Sequence, residues 1–417
     1  MSTPRVVVVG GGVIGVSCAY FLAKRGIEVQ LFERDRIAAG ASRGNGGVVS
    51  AGHPPFNRPG RMRQLMASVL DSTSPAYVPP RWSPSLWKWL REFADRCTEE
   101  HVEACMRVMA PLGKDALALF DTLMSEEGFD CGYSPKGYFE VCTTDAGIQR
   151  GKDEASILER FGYHPERATG EELRREEPAF GPKLLGGIYY PEARTLDPIR
   201  FVSALSKRAV ELGVDIREGV GVSGVSIVSG RVAGVRTLEG EVVGADAVVL
   251  ATGPFSARLA RKAGARVPVQ PGKGYHRDYA VGPGGAPPIG ASCVLSEAAV
   301  FCVPMEGRVR FAGTMEFAGV DRKLRPLRLE QLTLAGRTCF PELGYGKPTS
   351  EWCGLRPMSV DGLPIIGPLG GVEGLTVATG HGMLGLTLGP VTGEMVARHI
   401  SGEGDSRLAA FSPNRFH

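Results

Sequence analysis

The stretch Arg5–Asp35 reads RVVVVGGGVIGVSCAYFLAKRGIEVQLFERD, and its order decides the fold. RVVVV is an unbroken β-branched run, the pattern of a strand buried on both faces. VIGVSCAYFLAKRG has helical periodicity and stops at Gly26, a natural cap. IEVQLFERD is a second strand. Strand, glycine turn, helix and strand within about thirty residues open a doubly wound parallel sheet. Gly10, Gly12 and Gly15 form G-x-G-x-x-G at the first junction, with Val13 and Ile14 starting the helix. The first glycine permits the turn, the second admits a pyrophosphate, and the third lets helix and strand pack closely. The helix N-terminus offers unpaired N–H groups and a positive dipole end to phosphate. Glu33, followed by Arg34, ends the second strand, where a carboxylate meets ribose hydroxyls and repels an NADP 2′-phosphate. NAD and FAD both satisfy this half-site.

The same logic returns at the other end of the chain. DAVVLATG (246–253) is a buried strand ending in a glycine turn, and GLTVATGHGMLGLTLGPVTGEMVARHI (374–400) is strand, glycine turn and helix. After the opening stretch, residues 85–97, 99–127, 145–160 and 170–177 read as helices, with a break or kink near Pro111. Residues 137–142 read as a strand, 195–213 as a capped helix, and 274–318 as alternating strands and turns of an antiparallel sheet. The expected fold class is α/β: a Rossmann-like domain from 1–52, 191–270 and 350–417, interrupted by a substrate domain from 53–190 and 271–349.

The 417 residues are too many for one ordinary core and agree with two domains. Net charge is +3 with no block of five basic residues, which speaks against nucleic acid. Nine cysteines without C-x-x-C point to buried thiols in a reducing, cytoplasmic setting and to no metal site. No run of eighteen apolar residues spans a membrane. The tryptophans of RWSPSLWKWL (Trp82, Trp87, Trp89) either pack on the helical insert or touch the inner face of a membrane peripherally.

Four segments in order, the opening stretch, DAVVLATGPFSARLA, GLRPMSVDGLPIIG and ATGHGMLGLTLGPVTGEMVARHI, resemble the D-amino-acid oxidase superfamily of FAD enzymes. ASRGNGGVVS after Glu33 is most similar to its D-amino-acid dehydrogenase branch. The resemblance implies bound FAD and extends over about the full length. It implies that Gly10, Gly12, Gly15 and Glu33 hold the AMP half, and that Ser42, Asn45, Gly46 and Gly47 pass the pyrophosphate and flavin edge. Val222 would meet adenine, and Thr252 and Gly253 the pyrophosphate. Gly380, His381, Gly382, Met383 and Leu384 would face the flavin pyrimidine, whose reduced form is anionic and suits a helix N-terminus. Arg356 would grip a substrate carboxylate bidentately; the alternative is an internal ion pair with Asp361.

Tyr275 and His276 fall on opposite faces of one strand, so at most one of them reaches the site. Tyr275, His53 and His381 are the further catalytic candidates, each with a packing alternative, as has Tyr138. Cys353 is one residue out of register with the cysteine that binds FAD covalently in some relatives, so FAD is expected to be non-covalent. The implied activity is oxidation of a small D-amino acid or cyclic imino acid, with a quinone or O₂ as acceptor. Glycine or sarcosine oxidation, an FAD-binding subunit of a larger complex and a binding protein are the alternatives. Nothing in the sequence fixes the oligomeric state.

Overall fold

The computed structural model describes residues 4–50, 52–281 and 289–416. The expected strand–turn pattern over 274–318 therefore lies partly outside the described residues. The opening stretch folds as its pattern dictates: strand Arg5–Val9, helix Val13–Ala23 and strand Glu28–Glu33. These strands sit inside a six-stranded sheet ordered Ile365–Pro368, Leu375–Thr379, Ala247–Leu250, Arg5–Val9, Glu28–Glu33 and Asp215–Glu218. All neighbours are parallel except the edge strand Ile365–Pro368. Val6, Val7 and Val8 are fully buried, because helices cover one face and a three-stranded sheet the other.

Glycine sets how closely these layers approach. Gly10 has φ +111°, and a Cβ on Gly15 would lie 1.8 Å from the Gly10 carbonyl oxygen. The helix can lie on its strand only without that atom. A Cβ on Gly393 would likewise meet Ser17 backbone at 2.5 Å, so helix Gly385–Ile400 packs directly on helix Val13–Ala23.

The second sheet has nine strands. It begins with Ser350–Ser359, Val269–Ala280, Arg308–Glu316 and Val300–Met305, all antiparallel neighbours. It continues through Cys293–Leu295, Tyr138–Cys142, Gly186–Tyr190 and Glu166–Thr169, with Cys293–Leu295 parallel to Tyr138–Cys142 and the short strand Ala76–Tyr77 parallel to Arg308–Glu316. Among the described residues the strands of 274–318 pair antiparallel with one another as expected, and the parallel pair with Tyr138–Cys142 makes the whole sheet mixed.

Strand Ser350–Ser359 pairs into this second sheet through Val269–Ala280. One further expectation changes. The helix Glu99–Glu127 runs without interruption across Pro111. Its buried residues from Met109 to Leu123 share the core of the parallel sheet's helices, so the 53–190 segment is not confined to the substrate side. The proline costs one intrahelical bond, which this packing offsets.

The nine cysteines are all free. Cys293, Cys302 and Cys339 bring their sulfurs within 4.8 Å of one another in the core behind the second sheet.

Gly15→Ala gains helix propensity but forces a methyl into the Gly10 carbonyl. Net destabilisation of about 3 kcal/mol is expected, read as a lower midpoint in chemical denaturation with parallel loss of flavin.

Candidate active site

A cleft of ≈1540 Å³ runs between the two sheets. It exceeds the roughly 300–1,000 Å³ of an ordinary small-ligand pocket, as an extended dinucleotide beside a substrate would require. Of the residues singled out from sequence, Gly10, Gly12, Val13, Ile14, Glu33, Arg34, Ser42, Asn45, Gly46, His53, Val222, Thr252 and Gly253 line it. So do Arg356, His381, Gly382, Met383 and Leu384. Gly15, Gly47 and Gly380 stand behind the wall as shape-setting turns: a Cβ on Gly47 would meet the Leu196 carbonyl at 2.3 Å, and one on Gly380 the side chain of Ile365 at 3.0 Å.

Tyr275 is a correction. Its ring lies in the core of the second sheet and its hydroxyl donates to Glu316 at 2.7 Å. Strand alternation sends it away from the cleft. The other face does not bring His276 into the cleft lining either. His276 stacks on Trp352 with ring centroids 5.4 Å apart, and Trp352 lines the cleft in front of it.

At the parallel-sheet end, Glu33 accepts from the backbone N–H of Gly11 at 2.7 Å and of Asp35 at 2.8 Å. These bonds fix its carboxylate at the mouth of the glycine turn. A Cβ on Gly12 would meet only Ser42 Oγ, at 3.5 Å, so that face of the turn opens into the cleft. Ser42 Oγ accepts from Val13 N at 2.9 Å and ties the 42–47 loop to the helix N-terminus. Asn45 Oδ1 accepts from Gly47 N at 2.8 Å and shapes the turn after it. Thr379 Oγ1 donates to the Gly253 carbonyl at 2.8 Å, fixing one glycine turn to a neighbouring strand.

The loop has an anchor that sequence reading missed. Arg310 is almost fully buried and pairs with Asp278 through Nε and Nη2, both at 2.9 Å. Its remaining nitrogen, Nη1, donates to the carbonyls of Arg43 and Asn45 at 3.1 Å each. A guanidinium bonded through all three nitrogens thus holds the loop that faces the cleft. Asp278 and Arg310 are directly opposed in the antiparallel ladder, a register that neither strand's own pattern reveals.

At the other end, Arg356 lies on Ser350–Ser359 opposite Gly272. Its guanidinium occupies the space left by Gly274, where a Cβ would sit 2.2 Å from Nη1. Nη1 donates to the Thr314 carbonyl at 2.6 Å. No carboxylate pairs with Arg356 among the described residues. Asp361 is taken by Arg415, at 2.7 and 3.2 Å. Burial pushes Arg356 down to about 10, so it stays charged at neutral pH. A desolvated cation with free donors favours an anionic ligand. Five polar atoms of cleft residues are buried without a hydrogen-bond partner among the described residues: Arg61 Nε, Glu297 Oε2, Thr314 Oγ1, Ser359 Oγ and His381 Nδ1.

His381 closes the loop before helix Gly385–Ile400, with Nε2 at 3.0 Å from Thr392 Oγ1. Gly382 N donates to the Pro357 carbonyl at 2.9 Å, which joins this loop to the Arg356 strand. His53 Nε2 lies 2.7 Å from the Tyr138 hydroxyl, and its ring also contacts Tyr190. Beside them Glu140 accepts from Ser296 at 2.6 Å and Tyr190 at 3.1 Å; burial, then the charge of Glu154, raises its pKa. Cys353 lines the cleft with Sγ directed at the Arg322 carbonyl, 3.1 Å away.

These features fit FAD. The glycine turn is open toward the cleft, a carboxylate stands at the ribose end, and a helix N-terminus faces the opposite end. Such a cleft defines a dinucleotide-dependent oxidoreductase. A family model described as FAD dependent oxidoreductase, DAO, matches residues 5–399. The chain is 34% identical over 407 residues to a D-amino acid dehydrogenase of Methylobacterium nodulans, with 95% of each covered. The solved glycine oxidase from Geobacillus kaustophilus superposes with TM-score 0.79 at 26% identity, covering 99% of both chains. L-proline dehydrogenase from P. horikoshii shares the fold, with TM-score 0.75 at 21% identity over 100% of this chain and 98% of that one. The chain belongs to the DAO family of FAD-dependent oxidoreductases.

Two expectations follow from the buried charges. Asp278→Ala strands Arg310 without its partner. A loss of about 3–5 kcal/mol is expected, together with a flavin fraction well below wild type in the purified protein. The histidines give a pH dependence. Burial pushes His381 down to about 3 and His276 to about 4, from 6.5. The unfolded chain therefore takes up their protons first as pH falls. Their contribution to stability is complete above about pH 6.5 and is lost from there toward pH 4 and 3. Thermal melts across this window should fall with pH, and His381→Gln should flatten the slope.

Proposed function

We propose that this protein oxidises the C–N bond of a small amino acid, a D-amino acid or a cyclic imino acid such as D-proline, and passes the electrons to a quinone or O₂. The observation that carries this reading is the unpaired guanidinium of Arg356 in the cleft. Bound FAD supplies the hydride acceptor, its N5. Arg356 supplies direction: a planar fork binds a carboxylate in one orientation, which leaves the adjacent Cα–H and amine a restricted set of positions. Its anchor to the Thr314 carbonyl and its fit against Gly274 limit how that fork can turn. Loss of hydride from Cα with a neutral amine gives a protonated imine, which water hydrolyses where the nitrogen is not in a ring. No protein base is required for that loss. His53 is held neutral by burial and positioned by Tyr138, so the wall it forms favours an uncharged amine. The similarity to a D-amino acid dehydrogenase supports the substrate class, and the likeness to a glycine oxidase keeps glycine and sarcosine among the compounds to test.

The test is anaerobic. D- and L-amino acids, glycine, sarcosine and both prolines are added singly to the purified flavoprotein while its visible bands are followed. Bleaching by D-amino acids or D-proline is expected; bleaching by none of the compounds overturns the reading. Admitting air then separates the acceptors by the speed of recolouring. In Arg356→Lys, kcat/KM for flavin reduction should fall by about a hundredfold or more because the fork is lost, while flavin content stays near wild type. Equal reduction by that variant removes Arg356 from the substrate site.

A further inference from the structure

Beside the cleft mouth, three segments meet and leave large apolar side chains in solvent. Trp82 is 89% exposed and Leu70 95% exposed. Val320, Met66, Leu327 and Leu324 are exposed as well. The segments are held together by their backbones. Met315 N donates to the Pro75 carbonyl at 2.7 Å and Phe317 N to the Tyr77 carbonyl at 2.9 Å. Arg81 donates to the Phe317 carbonyl at 3.2 Å, Arg328 to the Ser74 carbonyl at 2.6 Å, and Gln331 to the Thr73 carbonyl at 2.5 Å. The six side chains therefore belong to one neighbourhood. Residues 61–76 also serve the cleft, since Arg61, Gln64, Ala67 and Ser74 line it.

The same neighbourhood is strongly basic. Residues 61–91 and 320–328 hold nine Lys or Arg and two Asp or Glu. Arg328 is buried and Arg322 and Arg325 pair with Asp35 and Glu316, while Arg63, Lys88, Arg91 and Lys323 are exposed and in no ion pair among the described residues. One of the two acids, Asp321, is occupied by Lys273 and Arg325. An exposed apolar group of this kind marks an interaction surface. The charge names the partner. Apolar side chains among basic ones suit an anionic lipid surface, where aromatic and aliphatic side chains enter the headgroup layer and cations attract it. A face-to-face contact with a second copy would oppose like charges.

We propose that this face docks on an anionic lipid bilayer, with Trp82 and Leu70 in the headgroup layer and the cleft mouth against the membrane. It refines where the expected membrane contact lies: Trp89 is buried and stacked on Phe93, while Trp82 and Trp87 stay exposed. The surface stands independently of the substrate. Its use rests on the quinone reading above, since a lipid-soluble quinone would reach the cleft directly from the bilayer.

The experiment is co-sedimentation of the flavin-loaded protein with vesicles of equal parts phosphatidylglycerol and phosphatidylcholine, and with phosphatidylcholine alone. Binding to the anionic vesicles that weakens with salt is expected. Trp82→Ser with Leu70→Ser, and separately Lys88→Glu with Lys323→Glu, should each weaken it by about tenfold or more. Flavin content and anaerobic bleaching by substrate should remain at wild-type values in both variants, so failure of the surface and failure of the activity are read separately. No binding to anionic vesicles, equal binding to both vesicle types, or unchanged binding in both variants overturns the proposal. So does concentration-dependent self-association in light scattering that the Trp82→Ser, Leu70→Ser variant abolishes, because the face would then serve a second copy.

Discussion

The ladder between Val269–Ala280 and Ser350–Ser359 is the constraint on which the cleft depends. It pairs Val269 with Ser359 at one end and Asp278 with Ser350 at the other. Val269 packs with the core of the parallel sheet, while Tyr275 and Tyr279 pack in the core of the second sheet. These strands therefore run from one layer to the other, and residues along them face the gap between. Arg356 sits there because its register partner is Gly272 and the next residue on that face is Gly274, which has no side chain to occupy the space. Shifting the register by one residue would turn Arg356 to the other face.

Two arginines, one buried and one half-buried, show how charge is divided between structure and chemistry. Arg310 has a carboxylate on two nitrogens and two carbonyls on the third, so its desolvation is offset within the protein. It gives the 42–47 loop a fixed position. Arg356 has one carbonyl and no carboxylate, and its pKa is depressed by burial. A ligand anion would restore what the protein withholds. The first arginine makes the cradle rigid; the second gives the cleft a preference for carboxylates. The neutral histidines around them keep the cleft from gaining further positive charge near neutral pH.

Much of the site was legible because glycine and β-branched runs carry local rules. Gly10, Gly12 and Gly15 needed only the strand before them and the helix after them. The 380–384 loop was legible for the same reason. Tyr275 was misread because the side of a strand that meets a cleft depends on which sheet lies behind it. The sheet that SEWCGLRPMS joins was not legible locally, because its partners lie far away in sequence, as Arg277 does from Glu351. Trp352, Thr314 and the Asp278–Arg310 pair carried no local signal at all.

By itself the sequence determined the parallel sheet, the dinucleotide turn, the acidic strand end and the presence of an arginine in a turn-rich, glycine-flanked segment. These follow from periodicity and from the steric freedom of glycine, which are properties of neighbouring residues. Tertiary structure alone decided that Arg356 is unpaired, because Asp361 is claimed by Arg415 from the far end of the chain. It also decided that three distant cysteines converge, and that the 73–81 segment is tied to 315–317 and 328–331. Those outcomes depend on strand register and on long-range backbone contacts, which bring together residues that no local pattern relates.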